Sequence, residues 1–309
     1  MLKRTISFSN PAYLSLQHNQ LVFNIPNAQG LDNLSQQNTI PIEDIGILIL
    51  DNKQITITHG LIAKLLENNV SIVTCNETHH PTGLMLNLDG HTLQSARCKS
   101  QIEASEPLKK QLWQQTIKSK IANQAAHLKS RGVETGNMMR WEDEVKSGDT
   151  ENHEARAAAY YWKNIFTNID PQFVDFVRER EGSYPNNLLN YGYAILRAVV
   201  ARSIVGAGLL PLLGIHHRNQ YNDYCLADDL MEPFRPLVDS IVYQTIIDYP
   251  NEREISVEIK KRLLQIPAMD IYIDGVKSPL MVGIQKTSYS LHKCFEGEIR
   301  KIIYPQYHV

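Results

Sequence analysis

The chain has 309 residues, of which 43% are apolar and 21% charged, so a fully disordered protein is excluded. The formal net charge is −2, and the four cysteines are scattered without a CxxC pair. This cysteine usage argues against a disulfide-rich secreted domain or a zinc knuckle and predicts a cytoplasmic, reducing location. The opening residues lack the apolar stretch of a secretory leader, and the longest apolar run, 204–215, is too short to span a bilayer. We therefore expect no membrane association.

The sequence up to residue 96 is typical of a β-rich domain. Short runs of β-branched and aromatic residues, separated by polar or proline breaks, predict strands. One segment, residues 59–68, has the spacing of a helix instead. The predicted strands cover residues 5–8, 13–16, 20–25, 45–50, 55–58 and 71–75. Residues 1–96 are therefore expected to form a β-sandwich-like domain with one helix.

From residue 97 onward the pattern becomes helical. Residues 108–129 place apolar side chains at helical intervals with lysines between them, and residues 151–166 are rich in alanine. Residues 186–205 and 230–247 are two further long segments with helical periodicity. The expected fold class is α+β, with a larger all-α domain over residues 97–309.

Positive charge is concentrated at the start of this second domain. Residues 97–131 hold eight basic and two acidic side chains, a net charge of +6, whereas residues 1–96 have a net charge of −3. A basic segment in a nearly neutral protein is a candidate phosphate-binding surface. The alternative is a solvated helix face without a ligand.

Two segments of the helical domain place polar side chains next to apolar ones. Glu154 and Tyr161 are seven residues apart, so a helix would place them on one face. His216 and His217 follow directly after the apolar run LLGI, which suits a metal ligand or an acid–base group. An ordinary surface glutamate and a structural histidine are the alternatives.

A third segment, DYCLADDLMEPFRPLVD, carries two carboxylates. Asp229 and Glu232 are three residues apart, so on a helix their side chains would point the same way. Adjacent carboxylates repel unless a cation lies between them, although capping of a helix start would also explain them. Two carboxylate segments and one imidazole suit Mg²⁺ or Mn²⁺ better than zinc. Near a basic helix, such an ion is suited to phosphodiester chemistry.

These motifs, taken in order, resemble a known family. EARAAAYYW, NLLNYGYAILR, GLLPLLGIHH and LADDLMEPFRPLVD are similar to successive motifs of the CRISPR-associated integrase family, the universal spacer-acquisition nuclease "Cas-one". The segment GIHHRNQYNDY followed by LADDLMEPFRP resembles the branch found with type II systems. The resemblance to the family covers nearly the whole chain.

The resemblance implies roles for individual residues. Glu154, His217 and Glu232 stand at the family's catalytic, metal-binding positions, with Asp229 at a supporting acidic position and Tyr161 at an aromatic position beside the site. His216 stands where the family more often has an apolar residue, so either histidine remains a candidate ligand. The DNA-binding candidates in the basic segment are Lys109, Lys110, Lys118, Lys120, Lys129 and Arg131.

The activity implied by the resemblance is DNA integration in CRISPR adaptation, with Mg²⁺ or Mn²⁺ as cofactor. A prespacer 3′-OH would attack the repeat by transesterification. The implied partners are double-stranded DNA, a second copy of the chain and the small subunit "Cas-two", in a hetero-hexamer of two integrase dimers around one partner dimer. Contacts with other type II CRISPR proteins would also fit. The N-terminal domain is expected to mediate dimerisation and partner docking. Two alternatives stay open: a metal-dependent, structure-specific DNA nuclease without integration, and a non-catalytic nucleic-acid-binding assembly subunit.

Overall fold

The chain folds into two compact units, Met1–Gly90 and His91–Val309. The structure, a computed structural model, describes residues 3–25, 38–169, 173–174, 176–179 and 182–308. The division falls before the boundary predicted at residue 96, because the first helix of the second unit begins at Gln94. Gln101 of that helix donates to the carbonyl oxygens of Leu210 and Leu213, which fixes the helix within the second unit.

The N-terminal unit contains two four-stranded sheets. Its strands are β1 (Arg4–Phe8), β2 (Ala12–Gln17), β3 (Gln20–Asn24), β4 (Asn38–Pro41), β5 (Ile45–Leu50), β6 (Ile55–Ile57), β7 (Ser71–Cys75) and β8 (Pro81–Met85). One sheet has the order β1-β5-β7-β8, with β8 antiparallel to β7, and the other has the order β4-β3-β2-β6. β4 and β8 lie outside the predicted strands, because their sequences are polar or turn-rich and lack a hydrophobic run.

Both sheets and one helix share a single core. Helix α1 (His59–Glu67) buries Leu61 and Leu65 against Leu14 of one sheet and Leu48 of the other. β5 is buried almost along its whole length, as expected for a continuous apolar run in the interior of a sheet. The prediction of a β-rich N-terminal unit with one helix is confirmed.

The C-terminal unit is mainly helical. Its helices are α2 (Gln94–Glu103), α3 (Glu106–Lys129), α4 (Gly136–Glu144), α5 (His153–Asn164), α6 (Asn186–Gly206), α7 (Cys225–Met231), α8 (Arg235–Asp248), α9 (Val257–Leu263) and α10 (Leu280–Phe295). Ser105 caps α3 by accepting the Leu108 amide, a typical helix start. α6 is long and apolar enough to cross a membrane, but 83% of its most apolar window is buried inside the structure. Such burial is typical of the core helix of a soluble protein.

The predicted helix 230–247 is interrupted at its start. α7 ends at Met231, a short 3-10 helix spans Glu232–Phe234, and α8 begins at Arg235. Pro233 and Pro236 provide no amide hydrogen, so they cannot continue the hydrogen bonding of the preceding helix. Asp229 therefore lies inside α7. The capping alternative, which required Asp229 to precede a helix start, does not hold.

The C-terminal unit also contains a small sheet that the all-α expectation left out. β9 (Asp270–Ile273), β10 (Val276–Pro279) and β11 (Pro305–Gln306) pair in the order β10-β9-β11. These strands have two to four residues, too few for the alternation that identifies a strand in sequence. The α+β class is confirmed, with strands in both units.

Helix α3 is bonded to the last part of the described chain. The Asn123 amide donates to the carbonyl oxygens of Pro233 (2.8 Å) and Pro305 (3.1 Å) and accepts the Tyr307 amide (2.9 Å). Thr116 shares a hydrogen bond of 2.7 Å with the Tyr304 hydroxyl. The residues around β11 are thereby fixed to the same helix that carries the candidate site.

Candidate active site

Two of the predicted metal-binding carboxylates meet at one buried lysine. Lys120 Nζ lies 2.5 Å from Glu154 Oε1 and 2.6 Å from Glu232 Oε2. Glu154 comes from the first turn of α5, Glu232 from the 3-10 helix after α7, and Lys120 from the middle of α3. The fold thus brings together side chains that are far apart in sequence.

Glu154 is positioned by an aspartate that lies shortly before the start of its helix. Asp149 accepts the His153 amide on Oδ1 and the Glu154 amide on Oδ2, each at 3.0 Å. A carboxylate there satisfies two amides that have no partner inside the helix and favours the positive end of the helix dipole. The Glu154 side chain is 33% exposed, so it lies at the boundary between the protein interior and solvent.

Glu232 is a buried carboxylate between two cations. Its Oε1 lies 3.0 Å from the Arg235 guanidinium, and its Oε2 faces the Lys120 ammonium. Burial alone would raise the pKa of Glu232, but the charges of Arg235 and Lys120 outweigh burial and hold that pKa below its usual value. Glu232 is therefore ionised at neutral pH.

Lys120 does not lie on the solvent-facing surface expected for a DNA contact. Its side chain is only 9% exposed. Burial alone would lower the pKa of its ammonium, but the adjacent Glu232 and Glu154 carboxylates raise it. The predicted surface position is wrong for Lys120, because helical spacing in the sequence does not reveal which lysine faces carboxylates from other segments.

His217 is oriented by the buried carboxylate of Asp229. Its ring Nδ1 lies 2.5 Å from Asp229 Oδ1, which also accepts the His217 amide. Asp229 Oδ2 accepts the amides of Ile215 (2.6 Å) and His216 (2.9 Å). The hydrogen bond from the ring raises the pKa of His217, against the lowering effect of burial. Since Nδ1 is engaged, Nε2 is the nitrogen left to bind a metal, the arrangement typical of metal-binding histidines.

His216 packs on an aromatic side chain. Its ring stacks on Trp113 of α3, with ring centroids 4.2 Å apart and an interplanar angle of 3°. Burial lowers the pKa of His216. Asp229 reaches the ring of His217 but only the backbone of His216, so the geometry favours His217 over His216 as the candidate ligand.

Tyr161 is on the expected helix face but bonds away from the carboxylates. Its hydroxyl donates to Asp239 Oδ2 (2.9 Å) and shares a hydrogen bond of 2.6 Å with His127 Nδ1, while Tyr193 donates to Asp239 Oδ1 (2.5 Å). Burial raises the pKa of Asp239 to about 7, although both tyrosine hydroxyls oppose that effect. The four side chains form a buried network in which Tyr161 stabilises the packing of α5.

The other predicted DNA contacts are distributed along α3. Lys110 and Lys129 are exposed, and Lys109 lines a cleft of about 420 Å³ that His217 also lines. Lys118 donates to the Asp143 carbonyl oxygen at 3.3 Å. The Arg131 guanidinium lies 3.7 Å from the centre of the Tyr243 ring, so it is partly committed to packing. Contact of these side chains with DNA stays a prediction.

Comparison with known proteins identifies the family. Residues 6–256 match the model of the family described as CRISPR associated protein Cas1. The chain belongs to the Cas1 family. It is 36% identical over 292 residues to the CRISPR-associated endonuclease Cas1 of Neisseria meningitidis serogroup C (strain 8013), covering 93% of this chain and 90% of that protein. This similarity is consistent with the type II-like branch expected from the motifs.

Other relatives of this Cas1 family member are more distant in sequence, and two solved structures share its fold. A Francisella tularensis subsp. novicida protein, CRISPR-associated endonuclease Cas1 1, is 25% identical and covers 96% of this chain and 97% of its own. Among solved structures, a casposase bound to integration product has a TM-score of 0.78 at 19% identity, covering 100% of this chain and 95% of the casposase. A Cas1 protein from Thermotoga maritima has a TM-score of 0.76 at 16% identity, covering 95% of this chain and 97% of its own.

The donor set at the site fits a hard divalent cation. Glu232 Oε2 is buried and, among the described residues, accepts no hydrogen bond of good geometry, although the Lys120 ammonium is near. Two carboxylates and one imidazole are ligands suited to Mg²⁺ or Mn²⁺. In the part of the chain that the structure describes, no three His, Cys, Asp or Glu side chains are already arranged around a metal position. Lys120 instead lies between two of the carboxylates.

Sequence reasoning missed several residues that shape the site. Asp149 lies four residues before the first residue of α5, ahead of the N-cap Asn152, so the usual position of a capping residue does not identify it. Arg235 and Asp239 have no local signal, because their partners come from distant segments. Trp113 and Lys120 are seven residues apart on α3, so they share a helix face, and they contact neighbouring parts of the site. Helical spacing predicts the shared face but not the partners of the two side chains.

Proposed function

We propose that this Cas1 family member is a metal-dependent DNA integrase and endonuclease of CRISPR adaptation, acting in the cytoplasm. The observation that carries the proposal is the meeting of Glu154 and Glu232 at one buried cationic group, with His217 oriented by Asp229. The Neisseria relative carries the name endonuclease, and a casposase of the same fold was solved bound to integration product, which supports DNA as the substrate class.

Glu154, Glu232 and His217 would hold the Mg²⁺ or Mn²⁺ ion. When bound, such an ion supplies Lewis-acid stabilisation of negative charge on the reacting phosphate and on the leaving oxygen. The remaining roles belong to the chain itself: Asp229 fixes the imidazole orientation, and Asp149 fixes the start of the helix that carries Glu154. Arg235 keeps Glu232 ionised, which a ligand to a cation must be.

The reaction proposed is transesterification. A prespacer 3′-OH attacks a phosphodiester of the repeat, one phosphodiester bond forms, one breaks, and the freed strand leaves as a 3′-OH. Because one phosphodiester replaces another, no external energy source is needed. The same site with water as nucleophile gives hydrolysis. Lys109 and Arg218 line the cleft beside His217; Arg218 is paired there with Glu106, and Lys109 offers positive charge to the DNA backbone.

The proposed assembly contains a dimer of this chain and the small subunit Cas2, in a hexamer of two Cas1 dimers around one Cas2 dimer. A neighbour of the same fold, solved as a Cas6-RT-Cas1–Cas2 complex, has a TM-score of 0.75 at 18% identity; the match covers 97% of this chain and 35% of that one. The N-terminal unit, which holds none of the candidate ligands, would supply the dimer and Cas2 contacts. Among the described residues its two sheets end in the strands β1 and β8 and the strands β4 and β6, and edge strands are suited to pairing with a second chain.

A strand-transfer assay tests the activity. The full chain with Cas2, Mn²⁺ and a labelled duplex bearing 3′-OH ends should join that duplex to a repeat-containing plasmid. Glu154→Ala, Glu232→Ala and His217→Ala should each abolish joining, whereas His216→Ala should retain activity. The reverse pattern for the two histidines would move the ligand to His216. Cleavage of branched DNA without joining would favour the plain nuclease, and DNA binding with neither reaction would favour the assembly subunit.

The salt dependence of binding tests the basic segment. Lys110→Ala combined with Lys129→Ala should weaken duplex binding and reduce the slope of log K against log salt, by about one unit for each lysine that pairs with a DNA phosphate. A double variant of Lys261→Ala and Lys277→Ala, which removes the same charge elsewhere on the unit, is the matched control and should leave the slope nearly unchanged. Equal effects of the two pairs would assign the α3 lysines to a solvated face.

A further inference from the structure

Lys120 is a buried cation at the place where the proposed function requires another cation. Its ammonium lies within 2.6 Å of Glu154 Oε1 and of Glu232 Oε2, two of the oxygens expected to bind a divalent ion. It reaches them from the middle of α3, which is bonded to residues 304–307 by Thr116 and Asn123. The stem of Lys120 is therefore held by a helix that is itself fixed in place.

The charges around Lys120 explain why it is needed in the metal-free protein. Without its ammonium, Glu154 and Glu232 would face each other, and among the described residues the positive charge near Glu232 would come from the Arg235 guanidinium and, when protonated, from the His217 ring. The Glu232 side chain is 7% exposed, so water can offset little of that repulsion. Removing one partner of a buried ion pair is destabilising because the remaining charge keeps its cost of burial.

We propose that Lys120 is the resident counter-cation of the Glu154–Glu232 pair and that it exchanges with the divalent ion when that ion binds. The inference rests on the proposed function, because it takes the divalent site as given. Two cations cannot share the same two carboxylate oxygens without strong repulsion. Lys120 thus keeps the site assembled before the ion arrives and weakens the apparent affinity for the ion.

The test compares Mn²⁺ binding to the full chain in three forms. Lys120→Met removes the charge and keeps an unbranched apolar stem, and Lys163→Met, at an exposed position of α5, is the matched control. Calorimetric titration of Lys120→Met should show Mn²⁺ binding tighter than wild type by about tenfold to a thousandfold, because one adjacent positive charge lowers the proton affinity of a carboxylate over that range and opposes Mn²⁺ in the same way. The metal-free melting temperature should fall for Lys120→Met, and saturating Mn²⁺ should recover most of the loss. Lys163→Met should match wild type in both measurements.

One outcome refutes the exchange of Lys120 with the divalent ion, and another refutes the divalent-ion site on which it rests. The exchange is refuted if wild type binds Mn²⁺ in a Glu154-dependent way and Lys120→Met binds it equally well or more weakly. Lys120 would then have a structural role alone. The proposed function fails separately if neither wild type nor Lys120→Met binds Mn²⁺ in a way that Glu154→Ala abolishes.

A second measurement on wild type covers the case in which Lys120→Met does not fold. The ¹⁵N signal of the buried Lys120 ammonium, assigned by its loss in Lys120→Arg, should be protected from water exchange without metal and should shift or disappear when Mg²⁺ is added. A signal that Mg²⁺ leaves unchanged at saturation would show that the ammonium stays in place and would refute the exchange.

Discussion

Replacing Asp229 by asparagine isolates the contribution of one buried carboxylate to the loop that carries His217. Both carboxylate oxygens are used: Oδ2 accepts the amides of Ile215 and His216, and Oδ1 accepts from His217. Asparagine has a single acceptor oxygen. One orientation of its amide turns an NH₂ group toward two backbone donors, and the other turns it toward the His217 ring.

The magnitude follows from those hydrogen bonds. Hydrogen bonds to a charged acceptor contribute about 1.5–3 kcal/mol each, and a buried donor without a partner costs about 1–3 kcal/mol. If the NH₂ group faces the loop, two amides are left without an acceptor. If it faces His217, the ring must carry its proton on Nε2, the nitrogen expected to bind the metal. We expect Asp229→Asn to lower the free energy of unfolding by about 2–4 kcal/mol and to abolish integration as well.

Urea unfolding followed by tryptophan fluorescence is the appropriate assay. The three tryptophans of the chain, Trp113, Trp141 and Trp162, all lie in the C-terminal unit, so the signal reports the unit that contains the site. Asp223→Asn is the matched control. Asp223 is exposed in the segment between His217 and α7, and its replacement should cost about 0.5 kcal/mol or less. A loss below about 1 kcal/mol for Asp229→Asn, or equal losses for both variants, would refute this account of the loop.

Three further predictions concern residues near the site. A Cβ at Gly214 would overlap the His217 carbonyl oxygen and lie 2.8 Å from Asp229 Oδ2, so Gly214→Ala should markedly lower the melting temperature, whereas Gly136→Ala, which meets only the Glu134 carboxylate at 3.5 Å, should not. Because Asp239 has its pKa raised to about 7, its stabilising contribution is full below the unfolded pKa of ~3.9 and is lost as pH rises through 7. The stability difference between wild type and Asp239→Asn should therefore shrink between pH 5 and 8, by about 2–3 kcal/mol in urea unfolding, and a constant difference would contradict the shift. Asp149→Ala should cost about 1–2 kcal/mol in the same assay, and Asp149→Asn, which keeps one acceptor oxygen, should cost less.

Much of the fold could be predicted from local patterns. Continuous apolar runs such as β5, and the long periodic segments α3 and α6, carry enough signal to be identified individually. The short strands β9 to β11 could not be found, since two to four residues do not establish a period. The break before α8 could be suspected from Pro233, but not the 3-10 turn that places Glu232 beside Lys120.

The candidate site could be predicted only in part from the sequence. Motif resemblance identifies Glu154, His217 and Glu232, and the structure brings the two glutamates together. In the sequence, Asp229 fits a helix cap as well as it fits a residue that supports the site. The reason is that a sequence shows which residues are near in the chain, but not which loop folds over a carboxylate. Lys120 is indistinguishable in the sequence from its solvent-exposed neighbours for the same reason: its charge partners lie 34 and 112 positions further along the chain.

The hydrogen bonds of Asn123 have a consequence for the order in which this protein acquires its structure. Two of them join residues separated by more than 180 positions, so α3 can complete its polar contacts only after residues 305–307 have been synthesised. Contacts of such sequence separation are slow to form, because a long loop must close before they stabilise anything. The helix that carries Lys120 therefore reaches its final packing only after residues 305–307 have emerged from the ribosome, and we expect catalytic competence to lag behind the appearance of helical secondary structure during refolding.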